Sequence, residues 1–148
     1  MEKRWMVYGA WMVAVIATLG SLYFSEIRGY IPCELCWYQR ILMYPLTVIL
    51  GMALFFAEWN VRKYGIALAV IGAAIALHHY LLQKIPGYGG FMPCTKGIPC
   101  NKDYIDWLGF ITIPFLALTA FVFIIVLLVL SYAPFRSTRS SSATPNEA

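Results

Sequence analysis

Residues 5–24 read WMVYGAWMVAVIATLGSLYF and carry no charge. A helix of about 20 apolar residues is what the hydrocarbon core of a bilayer requires. A cleavable signal peptide is the competing reading, because Met1-Glu2-Lys3-Arg4 gives the run a charged start. A signal core spans only about 7–15 residues. This run is longer, and it continues through Gly20-Ser21-Leu22-Tyr23-Phe24 without a small-x-small cleavage site. It is read as a retained transmembrane helix.

Three further runs of this kind follow: Ile41 to Ala57, Gly65 to Leu82, and Trp107 to about Tyr132. The third of the four runs is interrupted only by His78 and His79. A strand-like or irregular backbone facing lipid would leave its N–H and C=O groups unpaired, so all four must be helices. Small residues recur along them, at Gly65, Ala69 and Ala73 and at Ala10, Ala14, Ala17 and Ser21. Such stripes let membrane helices approach closely. The expected fold class is all-α: a membrane protein built as a four-transmembrane-helix bundle over residues 1–132, with two cysteine-bearing loops on one side. Residues 133–148 are Ser-rich and poor in apolar residues. They are expected to form a disordered tail on the other side.

Composition agrees. Hydrophobic residues make up 61% of the 148-residue chain and charged residues 12%, where about 25% is usual for a soluble domain. The net charge of +4 is spread without a basic stripe, so nucleic acid is not an expected partner. An even number of spans puts both termini on one side. Lys3, Arg4, Arg62, Lys63, Arg136 and Arg139 fall there; Arg28, Arg40, Lys84, Lys96 and Lys102 fall opposite. The bias is small and favours cytoplasmic termini. All four cysteines, Cys33, Cys36, Cys94 and Cys100, fall on the opposite, extracytoplasmic side, where disulfides persist.

Cys33-Glu34-Leu35-Cys36 is a Cys-x-x-Cys pair placed where the second helix begins. The positive end of the helix dipole favours a thiolate there. Arg40 lies four residues after Cys36, on the same helix face and about one turn away. Its guanidinium could stabilise a Cys36 thiolate and hydrogen-bond a quinone carbonyl, or it could snorkel to lipid headgroups. Trp37 and Tyr38 read as interfacial belt residues. The second pair, Cys94 and Cys100, sits in a loop rich in Gly and Pro, suited to presenting a labile disulfide to a large partner. Three readings of the four cysteines fit the spacing: redox exchange, inert structural disulfides, or a zinc site. Zinc is disfavoured by the five-residue gap of the second pair and by the membrane-surface helix that carries the first.

The motifs Cys33-Glu34-Leu35-Cys36-Trp37-Tyr38-Gln39-Arg40, the Cys94/Cys100 loop, and Asp106-Trp107-Leu108-Gly109 followed by Pro114 resemble the DsbB family of bacterial disulfide-formation membrane proteins. The short BdbC type is the most similar, and the likeness covers roughly residues 5–132. The resemblance implies a multi-pass protein of the bacterial cell membrane that reoxidises an extracytoplasmic thioredoxin-like oxidase of the DsbA or BdbD kind. It implies that Cys94 is attacked by the partner and that electrons move on to Cys33–Cys36. From Cys36 they would pass to a non-covalently bound quinone, menaquinone or ubiquinone, held by Arg40, with no metal involved. The second cysteine pair is closer spaced than in the long members of the family. A vitamin-K-epoxide-reductase-like enzyme is the alternative; its loop pair precedes its Cys-x-x-Cys, the reverse of the order here. A structural membrane protein with inert disulfides is the alternative outside enzymes. His78 and His79 point about 100° apart, so at most one is expected to face the site. A proton role and plain interhelical hydrogen bonding both fit, and neither histidine enters the catalytic set.

Overall fold

The computed structural model describes residues 2–85 and 112–132. Four helices dominate them: α1 (Glu2–Leu22), α2 (Glu34–Phe55), α3 (Arg62–Lys84) and α4 (Ile113–Tyr132). All four are long and apolar enough to cross a membrane, and there is no strand among the described residues. The expected all-α four-helix architecture therefore holds. The second helix starts earlier than its apolar run, at Glu34 rather than Ile41, because Glu34 and Arg40 lower the local hydropathy without breaking the helix. The fourth is described from Ile113, with Pro114 in its first turn. Proline costs little there, since no intrahelical bond needs its missing N–H. The Thr112 carbonyl accepts the first helical bond from the Leu116 N–H.

The helices form a ring in which α1 packs on α2, α2 on α3, α3 on α4 and α4 on α1. Val7, Ala10 and Ala14 of α1, Met43, Leu46 and Leu50 of α2, Ala69 and Ala76 of α3, and Phe121, Ile124 and Leu128 of α4 fill the centre. Large apolar side chains such as Ile16, Val48, Phe55, Ile71 and Phe123 stay exposed on the outside. In water this would be an untenable surface; in lipid it is the ordinary one. Cohesion then comes from close packing rather than from a hydrophobic drive.

The small-residue face of α3 runs Gly65, Ala69, Gly72, Ala76. It departs from the expected stripe at Ala73, which is only half-buried. A strict four-residue step drifts off a helix that turns every 3.6 residues, and Gly72 lies nearer the axis of contact. At Gly72 the Phe121 ring of α4 occupies the place a β-carbon would take. Gly65 admits Leu46, Leu50 and Leu128 in the same way, less tightly.

One end of the bundle is tied by Arg62. Its Nε donates to the Trp59 carbonyl at 2.8 Å, and an η nitrogen donates to the carbonyl and hydroxyl of Ser131 at 2.7 and 3.1 Å. The start of α3 is thus fastened to the end of α4, where carbonyls lack helical partners. The opposite end holds Cys33 and Cys36.

Candidate functional site

The chain reaches this end through an unusual helix terminus. After Leu22, α1 widens into a π-helical turn, Tyr23–Ile27, which closes with the Arg28 N–H on the Tyr23 carbonyl at 3.1 Å. π turns occur often at functional sites, because they shift the helical hydrogen-bond ladder. Gly29 then takes a positive φ of 67°, a backbone position that suits a residue without a β-carbon. The reversal brings Tyr30, Ile31 and Pro32 back over the bundle and delivers Cys33 as the N-cap of α2.

Cys33 is extended (φ −73°, ψ 173°), and its carbonyl accepts from the Trp37 N–H at 3.1 Å. Cys36 follows within the first turn. Both are free thiols, with sulfurs 3.3 Å apart and joined by a hydrogen bond. Cys33 is buried and Cys36 half-buried. Nε2 of His79, from α3, lies 3.7 Å from the Cys33 sulfur. That imidazole is 1% exposed, and its Nδ1 is hydrogen-bonded to the Gln39 amide at 3.0 Å. Leu35, Leu82 and Ile75 pack around the group. The Cys33 thiol is held far below the usual thiol range, at about 4. The hydrogen bond shared with Cys36 is the main cause; the hydrogen bond and charge of His79 add to it, and burial opposes it. The spacing of the sequence suggests a thiolate at Cys36 beside Arg40. In the dithiol it is Cys33, whose sulfur is hydrogen-bonded by both Cys36 and His79, that carries the favoured thiolate.

Arg40 turns toward α1. Its Nε donates to Ser21 Oγ and an η nitrogen to the Ser21 carbonyl, both at 2.8 Å. The guanidinium also lies 5.4 Å from the centre of the Trp37 ring. Arg40 is therefore fixed by the end of α1. Trp37 and Tyr38 are exposed, as belt residues should be.

Arg40 and Cys36 share the wall of a cavity of about 440 Å³ between α1, α2, α4 and the Tyr30–Pro32 segment. Its lining surface is mostly apolar, and the polar residues on it are Ser21, Ser25, Tyr30, Cys36, Gln39, Arg40, Tyr44 and Thr119. The Tyr44 hydroxyl is buried with no hydrogen-bond partner among the described residues. Ile16, Leu116 and Phe123 belong to both the cavity wall and the outer surface of the bundle. The cavity therefore reaches the face that lipid would cover.

Of the five residues singled out in the sequence, the structure brings Cys33, Cys36 and Arg40 to one end of the bundle. Cys94 and Cys100 lie outside the described residues, as do Asp106–Gly109 and the tail. Sequence reasoning missed Gln39, Ser21 and Tyr44; His79 it left out of the catalytic set, and the interhelical hydrogen bonding it allowed for a histidine there is the His79–Gln39 bond. For His79 the signal was available: it is the next position on the buried face Gly65, Ala69, Gly72, Ala76.

A family model described as "Disulfide bond formation protein DsbB" matches residues 3–131. The chain is 61% identical over 124 residues to disulfide bond formation protein C of Bacillus subtilis, covering 84% of this chain and 90% of the relative. It is 50% identical to a probable disulfide formation protein C of Halalkalibacterium halodurans, covering 82% and 88%. A probable disulfide formation protein of Coxiella burnetii is 40% identical over 131 residues, covering 88% and 89%. No solved structure matches the chain. With a cysteine pair at the head of a membrane-type helix bundle, and a match over nearly the whole length, the chain belongs to the DsbB family, the membrane oxidoreductases of disulfide bond formation.

Proposed function

We propose that the protein moves electrons from an extracytoplasmic thioredoxin-like oxidase to a membrane quinone. Cys94, Cys100, Cys33 and Cys36 act as the thiol relay, and Arg40 acts at the quinone end. The observation that carries this reading is the cavity that Cys36 shares with Arg40, Gln39 and the unpartnered Tyr44 hydroxyl. Apolar walls suit a ring and its isoprenoid chain, and convergent polar groups suit its two carbonyls. A buried hydroxyl without a partner is costly unless a ligand completes it. Access from the lipid face is what a bilayer-dissolved oxidant needs.

A bound quinone would supply the two-electron oxidant, taking up two electrons and two protons. The remaining steps belong to this chain. The partner's thiolate attacks Cys94 of a Cys94–Cys100 disulfide and leaves oxidised, and the loop pair becomes a dithiol. That dithiol reduces the Cys33–Cys36 disulfide and is itself reoxidised. The resulting Cys33–Cys36 dithiol gives up two electrons and two protons as its disulfide re-forms. His79 and Cys36 favour the Cys33 thiolate during the exchange by hydrogen-bonding its sulfur. Arg40, anchored on Ser21, offers a fixed positive fork toward the cavity.

The same reading places the cysteine end outside the cell membrane, and Arg62, Lys63 and both termini inside. Purified protein, a reduced thioredoxin-like oxidase and quinone should together convert quinone to quinol at one per oxidase disulfide formed. A Cys33–Cys36 pair that quinone cannot oxidise would leave only structural disulfides, and would refute the reading.

A further inference from the structure

We propose that the reduced site is also a metal site: Cys33, Cys36 and His79 together bind a thiophilic cation of the Zn²⁺ class, and only in the dithiol form. The two Sγ atoms and a ring nitrogen of His79 all lie within 4.8 Å of one another. A tetrahedral zinc ion with Zn–S near 2.3 Å and Zn–N near 2.05 Å spans S···S edges of about 3.8 Å and S···N edges of about 3.6 Å. The dithiol already shows 3.3 Å between the sulfurs and 3.7 Å from Cys33 Sγ to Nε2. The first edge needs to open by roughly half an ångström and the second hardly at all, while the third, from Cys36 to His79, lies within 4.8 Å and closes by up to about 1 Å.

Three other features suit a metal. Gln39 holds the far nitrogen of the His79 ring, the place where metal-bound histidines are usually steadied by an oxygen acceptor. Turning the Gln39 amide by 180° presents its oxygen to Nδ1–H and sets the ring lone pair on Nε2, the nitrogen that faces Cys33. Two thiolates cancel the charge of a divalent ion, so a buried complex stays neutral. Cys36 lines the cavity, which leaves room for a water molecule as the fourth ligand. Two sulfurs and one imidazole select zinc-like or cuprous ions over Mg²⁺ and Ca²⁺, which want oxygen.

Binding forms two metal–sulfur bonds and one metal–nitrogen bond, and releases the two thiol protons. No electron moves. The oxidised pair has no thiolate to offer, so the site exists only after the protein has been reduced. If the Cys33–Cys36 dithiol is the donor to quinone, as proposed above, the metal inhibits by withholding its electron pairs. This ligand set differs from a four-cysteine zinc site, because His79 takes the place of the Cys94/Cys100 loop.

The test uses full-length protein carrying Cys94→Ser and Cys100→Ser, in detergent, reduced or oxidised. Zn²⁺ is titrated against a chromophoric chelator, and Co²⁺ serves as the spectroscopic probe. The reduced form should take up one ion per chain with a thiolate-to-cobalt absorption band, and the oxidised form none. His79→Gln should weaken binding at least tenfold, Gln39→Leu about tenfold, and His79→Cys should restore it. X-ray absorption on zinc-loaded, reduced protein with all four cysteines should show two sulfurs and one imidazole, a readout that needs no variant. No uptake by the reduced form, equal uptake by the oxidised form, an unchanged affinity in His79→Gln, or four sulfur ligands would each overturn the site. Oxidation by quinone of the pre-reduced, metal-free protein with all four cysteines is measured in parallel. Its loss with zinc binding intact would sink the quinone reading alone, and the converse would sink the metal site alone.

Discussion

Gly72→Ala should damage both the bundle and the cavity, through a single side chain. A β-carbon built on Gly72 falls 2.8 Å from Phe121 Cδ1 and nearer still to Cε1 and Cζ. Ordinary carbon contacts are about 3.5–4.0 Å, so the ring must withdraw by roughly 1 Å or more. Phe121 is fully buried and forms part of the cavity wall. The cavity is where it can yield. If it cannot, α3 and α4 must separate instead. Overpacking of this kind costs about 1–3 kcal/mol, or about 5- to 150-fold in the unfolding constant. The assay pairs detergent-phase unfolding of the purified protein with steady-state quinone reduction. A lower unfolding midpoint and a higher KM for quinone are expected together, with thiol exchange toward the partner unchanged. Phe121→Leu in the Gly72→Ala background should recover part of both losses, and a double-mutant cycle would then show coupling between the two sites. Unchanged stability and unchanged KM in Gly72→Ala would refute the argument that this close approach shapes the cavity.

Arg40→Ala removes two charge-assisted hydrogen bonds to Ser21, and quinone turnover should fall on the order of 10- to 100-fold, far more than exchange with the partner. Arg40→Lys should recover only part, since it lacks the planar fork; equal effects on both half-reactions would argue against a role at the quinone. Tyr44→Phe should raise the KM for quinone by roughly 2- to 10-fold while leaving the ligand-free protein as stable or slightly more so, because it removes a buried hydroxyl that has no partner there; destabilisation without a KM change would contradict this. Arg62→Ala should lose about 1.5–3 kcal/mol of stability with the bonds to Trp59 and Ser131, at unchanged KM; a KM effect would mean the two ends of the bundle are coupled. Membrane-impermeant thiol reagents should label reduced cysteines in intact cells, and labelling only after lysis would invert the proposed orientation.

The number and type of the long helices among the described residues were legible because lipid imposes them: each apolar run has to be a helix, although α2 begins at Glu34, before its apolar run. The cysteine pair at the head of α2 was legible because its spacing and position are local. The π turn after Leu22 was not, since Tyr23-Phe24-Ser25-Glu26-Ile27 has no residue that demands it. Without that turn nothing in the sequence leads Arg40 to the Ser21 carbonyl. Gln39 and His79 are a different case. Gln39 falls on the buried face of α2 with Leu35, Met43, Leu46 and Leu50. His79 falls on the buried face of α3 after Ala76. Each is a polar residue in an apolar stripe of a membrane helix, and such a residue must find a partner inside the protein. Two adjacent helices offering one such residue each, at the end where the cysteines lie, call for pairing with one another. The rule needed was rotation at 3.6 residues per turn, applied from the small residues onward. That rotation puts His79, not His78, on the buried face with Ala76, and so points to the second partner of Cys33.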